Sequence, residues 1–132
     1  MKTVTSQDLP TPGGHYSQGV VSGRLLFVSG QLPFNPQTGT FAQGIEAQFT
    51  QAMANVESVL RAGGASLATL VNVQIFISDV TYWPLVNAIY AQWLGAHKPA
   101  RAIIPCGSLH YGALVEITAV AELVNPSQES LQ

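Results

Sequence analysis

The stretch from Ala113 to Val124, ALVEITAVAELV, alternates along its whole length, yet neither of its faces is polar. Val115, Ile117, Ala119, Ala121 and Leu123 share one side; Leu114, Glu116, Thr118, Val120, Glu122 and Val124 share the other. Side chains of a strand point alternately to the two faces of its sheet. A face carrying so few charges is not a solvated one, so this strand needs a cover on both sides. Helices of the same chain can cover the first side, and a second subunit is the expected cover of the other. The composition agrees. Only 9% of the 132 residues are charged, against roughly 25% in an ordinary soluble domain, while 47% are hydrophobic. Five basic and seven acidic side chains cannot wet the surface of a domain this small, and a homo-oligomer is expected.

The length fits a single domain spanning 1–132, with a core over about 9–124 and a polar, frayed tail at 125–132. Residues 1–14 read as an extended arm followed by a loop broken by Pro10, Pro12, Gly13 and Gly14. Strands are predicted at 16–22 and 24–29, turning at Ser22-Gly23, with a loop from Gly30 to Pro36. Ile45, Phe49, Met53, Val56 and Leu60 form a 3.6-residue stripe, predicting a helix over Ile45–Ala62 that stops at Gly63-Gly64. A strand at 70–78 places Val71, Val73, Ile75 and Ile77 on one face. A second helix at 82–94 is capped by Asp79 or Thr81, tolerates Pro84 in its first turn and ends at Gly95; its apolar face is Leu85, Val86, Ile89, Tyr90 and Trp93. The order predicts an α+β layer with both helices on one sheet face.

Two charges interrupt apolar runs: Arg101, after a Pro-Ala corner, and Glu116, fifteen residues later. A charge in such a run costs free energy unless it is paired or used. The two runs within Lys98–Leu123 can pair as a hairpin and bring both charges to one site. Arg101 fits either a carboxylate-binding cation or an interface salt bridge, and Glu116 either a proton-handling group or an arginine's partner across a subunit boundary. Tyr16 also reads as a packed turn aromatic, Asn87 as a loop cap and Cys106 as a buried small hydrophobe.

Several function classes are disfavoured. A net charge of −2 with scattered basic residues lacks the basic patch of a nucleic-acid surface. One cysteine forbids an internal disulfide, and no apolar run reaches the ~18 residues of a membrane helix. The expected compartment is cytoplasmic, with no nucleic-acid or membrane partner. His15, His97 and His110 have no metal-ligand spacing, and no Lys-Ser/Thr follows Gly13-Gly14 to make a phosphate loop.

Tyr16-Ser17-Gln18-Gly19, Ser29-Gly30-Gln31 with Pro33, Asn87 with Tyr90, Pro99-Ala100-Arg101 and Val115-Glu116-Ile117 occur in this order across residues 9–124. Each is short; five in register make the chain resemble the Rid/YjgF reactive-intermediate deaminases. The resemblance implies a chorismate-mutase-like α+β fold and a homotrimer whose sheets form an inner barrel, with active sites in clefts between subunits. It implies Arg101 as the substrate-carboxylate anchor, Glu116 as the group that positions or activates water, and Tyr16, Ser29, Gly30 and Asn87 as pocket lining. Tyr16 joins Arg101 and Glu116 as a catalytic candidate, and Cys106 joins the substrate-binding candidates. The implied reaction is hydrolysis of an enamine or imine such as 2-aminoacrylate or 2-iminopropanoate to a 2-keto acid and ammonia, without metal or organic cofactor. Ile103 stands where the best-known branch has cysteine. The Arg-x4-Cys-Gly pattern ending at Cys106-Gly107 is nearer the RutC branch, and Ser108-Leu109-His110-Tyr111-Gly112 matches neither. The alternative function is a non-catalytic trimer that binds or senses small 2-keto acids. An RNA-acting role, also attached to the family, suits the acidic balance least.

Overall fold

The computed structural model describes residues 1–124; the expectation for 125–132 lies outside the described residues. Six strands, β1 (Lys2–Val4), β2 (Gly19–Ser22), β3 (Leu25–Gln31), β4 (Leu70–Ile77), β5 (Ala100–Pro105) and β6 (Val115–Glu122), form one sheet with order β1-β2-β3-β6-β4-β5. Two helices, α1 (Ile45–Gly63) and α2 (Trp83–Leu94), complete the α+β fold. β6 is an interior strand, antiparallel to β3 on one edge and to β4 on the other. Its Val115, Ile117, Ala119 and Ala121 are buried, in one cluster with Phe49, Met53, Val56 and Leu60 of α1 and Val86 and Tyr90 of α2. Glu116, Thr118 and Val120, on the opposite face, are only half-buried, and that face also leaves Phe27 44% exposed.

α1 follows the predicted stripe. Glu46 in its first turn and Arg61 in its last complement the helix dipole. Gly64 ends it in the left-handed region at φ 85°, its N–H reaching back to the carbonyls of Leu60 and Arg61. At the start of α2, Asp79 accepts from the Thr81 N–H at 2.8 Å, so the cap serves a short 3-10 turn at 80–82 that feeds the helix. Of the apolar face expected for α2, Val86 and Tyr90 are buried, whereas Leu85 is exposed.

The expected hairpin between the two runs of Lys98–Leu123 does not form. Both edges of β6 are occupied by β3 and β4, and β5 lies parallel to β4 with Arg101 opposite Val73. A parallel neighbour needs a crossover long enough to carry the chain back across the sheet, and α2 supplies it. Smaller differences have local causes. β2 begins at Gly19 rather than residue 16, because Gln18, buried, accepts from the Ser6 N–H at 2.6 Å and donates to the Pro10 carbonyl at 3.1 Å. Those bonds hold the preceding segment as a loop, while Lys2–Val4 of the arm pairs with β2. β3 runs through Gly30 to Gln31, but its register with β6 breaks between Val28 and Gln31. In β4 a register shift between Leu70 and Asn72 turns Val71 outward and buries Leu70 in its place.

Two amides on the buried side of α1 fasten the loops above the sheet. Asn55 donates to the carbonyls of Leu32 and Phe34 at 3.0 and 2.9 Å and accepts from Gln51 at 2.9 Å. Gln48 accepts from the Leu114 N–H at 2.9 Å and donates to the Ala42 carbonyl at 3.0 Å. Buried polar groups left without partners are costly. Asn55→Ala, which orphans two carbonyls, is therefore expected to cost about 2 kcal/mol in urea unfolding and to speed amide exchange over 32–41. Gln51→Ala, which removes only a donor to Asn55, is expected to cost less.

Candidate active site

Cross-strand partners share a sheet face, and this settles where the two conspicuous charges go. Arg101 pairs with Val73, and Val73 with Ala119, both buried on the helix side. Glu116 pairs with Phe76 on the open side. The sheet itself separates Arg101 from Glu116, and one chain does not bring them together.

Arg101 sits on the edge strand β5, where α2 closes over it. Its guanidinium donates through Nη1 to Asn87 Oδ1 at 2.9 Å. It also lies over two aromatic rings, 4.9 Å from the Tyr90 centroid and 5.7 Å from that of Trp83. A neutral amide and two π faces orient the group without cancelling its charge. Among the described residues the ion pair within 4 Å is Glu57–Arg61 at 3.4 Å, so no carboxylate there pairs with Arg101. A guanidinium carries five N–H donors in a planar fork, and most of the fork remains for an incoming carboxylate. Asn87 and Arg101 border an open cleft of about 410 Å³.

The second group gathers on the open face. Where the β3–β6 register breaks, Ser29 turns its Oγ to the Ser17 carbonyl at 2.6 Å, and its N–H donates to the Gln18 carbonyl at 3.0 Å. These bonds tie β3 to the segment carrying Tyr16. Gly30 then lies directly against the Glu116 carboxylate, so close that a methyl group on it would overlap an Oε atom. A side chain at residue 30 would displace the carboxylate. Burial pushes the Glu116 carboxyl above its ordinary range, and the charge of His110 pulls it partly back. Tyr16 is 54% exposed and lines a cleft of about 370 Å³ together with His110 and Tyr111. Tyr111 holds φ 60° without being glycine; its ring stacks on His110 at 3.7 Å and meets Phe34 edge-on at 5.4 Å.

The predicted site residues thus fall into two groups, Arg101 with Asn87 and Glu116 with Ser29, Gly30 and the Tyr16 segment. Cys106 joins neither cleft. It follows β5 as an exposed thiol, its N–H bonded to the Ile77 carbonyl at 2.9 Å, and it is not the buried hydrophobe its residue type suggests. Sequence reasoning passed over Trp83, which lies against Arg101, and His110, whose charge acts on Glu116. His110 lies in the segment that departs from the family pattern, and that was its one available signal.

Comparison with known proteins supplies context. The family model described as Endoribonuclease L-PSP matches residues 6–123. A RutC family protein of Sinorhizobium fredii is 37% identical, the match covering 93% of this chain and 98% of that one. A 2-iminobutanoate/2-iminopropanoate deaminase of Salmonella typhimurium is 32% identical over 91% of this chain and 96% of that one. Among solved structures, TdcF of E. coli with bound serine superposes with a TM-score of 0.89 at 30% identity, covering 94% of this chain and all of that one (100%).

The electrostatics of Glu116 can be checked directly. His110→Ala removes a nearby cation that favours the carboxylate, so a carboxyl-carbon NMR titration should place the Glu116 midpoint higher in the variant than in the wild type. A carboxyl with a raised folded-state midpoint contributes its stability below the unfolded value and loses it as pH rises through the folded one. The variant should therefore lose stability more steeply than the wild type as pH rises from about the ordinary carboxyl value of 4.5.

Proposed function

The chain belongs to the Rid/YjgF family, the family described as Endoribonuclease L-PSP, and on that premise we propose that it hydrolyses small carboxylate-bearing imines and enamines, of the 2-iminopropanoate/2-aminoacrylate type, to 2-keto acids and ammonia. The observation that carries this reading is Arg101: a guanidinium aimed by Asn87, Tyr90 and Trp83, with no carboxylate beside it among the described residues. Deaminase-named relatives at 32% identity and a bound amino acid in TdcF support the same substrate class.

In this reading the site is composite. Arg101 and Asn87 of one protomer face Glu116, Gly30, Ser29 and Tyr16 of another, in a homotrimer that covers the open, half-buried sheet face. Arg101 grips the substrate carboxylate through two parallel hydrogen bonds and so fixes the plane of the adjoining C=N bond. An enamine takes a proton at C3, and a neutral imine takes one on nitrogen, to give the same iminium. Glu116 then orients a water and accepts its proton as the oxygen bonds to C2. The resulting carbinolamine is protonated on nitrogen, the C–N bond breaks and ammonia leaves, while loss of the hydroxyl proton yields the keto acid. A carboxyl whose range is lifted by burial suits both proton transfers. The Tyr16 hydroxyl serves the leaving nitrogen or the water. No step calls for a metal or an organic cofactor. The ribonuclease description of the family fits this chain poorly, since its net charge is −2 and RNA binding draws on a basic surface.

The test couples a pyridoxal-phosphate enzyme that releases 2-aminoacrylate to keto-acid formation. Arg101→Gln should lower kcat/KM about 10²-fold, the loss expected for a bidentate charge-assisted contact. Glu116→Gln should lower kcat by about 10²-fold or more, as for a general base. No acceleration over buffer by the wild type sinks the reading. A mixture of Arg101→Gln and Glu116→Gln protomers, unfolded and refolded together, should recover about one quarter of wild-type activity if the site is shared between neighbours; recovery at the level of either variant alone refutes the sharing.

A further inference from the structure

The cleft beside Arg101 holds more positive charge and more hydrogen-bonding capacity than one carboxylate uses. The chain has five basic residues, and two of them, Arg101 and Lys98, border this one cleft, with no acidic residue in its lining. Neither has a carboxylate within 4 Å among the described residues. The Tyr90 hydroxyl is an independent observation. Tyr90 is 7% exposed, it lines the same cleft, and its Oη has no hydrogen-bond partner. Its ring supports the Arg101 guanidinium at 4.9 Å. A buried phenol O–H without an acceptor is unfavourable and rare, and an anionic oxygen is the acceptor that would satisfy it best.

The wall that carries Lys98 is fixed. Nε2 of His97 lies 2.8 Å from the Leu70 carbonyl, which sets it as a donor and pins the ring to the sheet. The His97 N–H returns to the Leu94 carbonyl at 3.2 Å, and Pro99 restricts the backbone conformation of Lys98.

We infer that this cleft is a second-anion subsite, and that the preferred substrate is a dicarboxylate: a 2-imino acid whose side chain ends in a second carboxylate. The inference rests on the deaminase reading for its assignment of Arg101. Arg101 takes the C1 carboxylate, while Lys98 and the Tyr90 hydroxyl take the distal one. Lys98 is exposed, so its contribution is modest and sensitive to salt.

Binding of product-like keto acids tests this without turnover. Calorimetry at low salt compares 2-oxoglutarate with 2-oxopentanoate, which has the same five-carbon skeleton and lacks only the distal charge. The wild type should prefer 2-oxoglutarate by about 5- to 10-fold. Lys98→Gln should bring the ratio down to about 1 to 2, and Tyr90→Phe, which keeps the ring under Arg101, should lower it about 3-fold. Lys2→Gln, a charge change on β1, should leave the ratio alone. Equal affinity of the wild type for the two acids overturns the proposal, as does a ratio unmoved by Lys98→Gln. Dissociation of the assembly on Lys98→Gln, with both affinities falling together, overturns it as well and assigns Lys98 to a contact between copies. A dicarboxylate preference that depends on Lys98 in a protein that turns over no imine supports the subsite and overturns the deaminase reading alone.

Discussion

The fold depends on β6 being paired on both edges and packed on one face. Its register with β3 and β4 commits Val115, Ile117, Ala119 and Ala121 to the core under α1. A slip of one residue would exchange that set for Glu116, Thr118 and Val120 and put a carboxylate among Phe49, Met53 and Leu60. The same alternation that builds the core therefore holds Glu116 on the other face. It is close enough to the β3 backbone to be partly desolvated, and far enough from the core to stay ionisable.

Much of this could be read from residues alone, and the failures share a cause. α1 was legible to within a residue because its stripe, its glycine stop and its length agree. β6 and the apolar character of both its faces were legible because alternation is a local property. Partner choice among strands is not local. Nothing between residues 98 and 124 records that β4 intervenes between β5 and β6, so a hairpin read from chain proximity misplaces Arg101 by a whole sheet face. Val71 went wrong in a similar way. A register shift is imposed by the neighbouring strand, and a perfect alternation through Val71, Val73 and Ile75 gives no hint of it. The buried Gln48 and Asn55 were missed because a polar residue within a helix stripe looks like its wet side until the loops it fastens are known.

For the site, the motif residues were legible as a set but not as two groups. Arg101 owes its aim to Asn87, Trp83 and Tyr90, three residues of one helix face, and Glu116 owes its raised range to burial beside the Gly30 segment. Each group is held by its own contacts, so the composite site proposed above would need an assembly only to juxtapose two halves. The non-glycine left-handed residue, Tyr111, belongs to the second half. Strain of that kind persists where the surroundings hold it, and here the Phe34 and His110 rings do so.

The placement of Arg101 and Glu116 on opposite faces of one sheet has a kinetic consequence. Within a single chain the two cannot quench each other as an internal ion pair. The composite site proposed above would exist only while copies are associated. Specific activity should then follow a mass-action curve on dilution, flat at high protein concentration and falling once the assembly comes apart. On that proposal a newly made chain would remain inert until it met other copies.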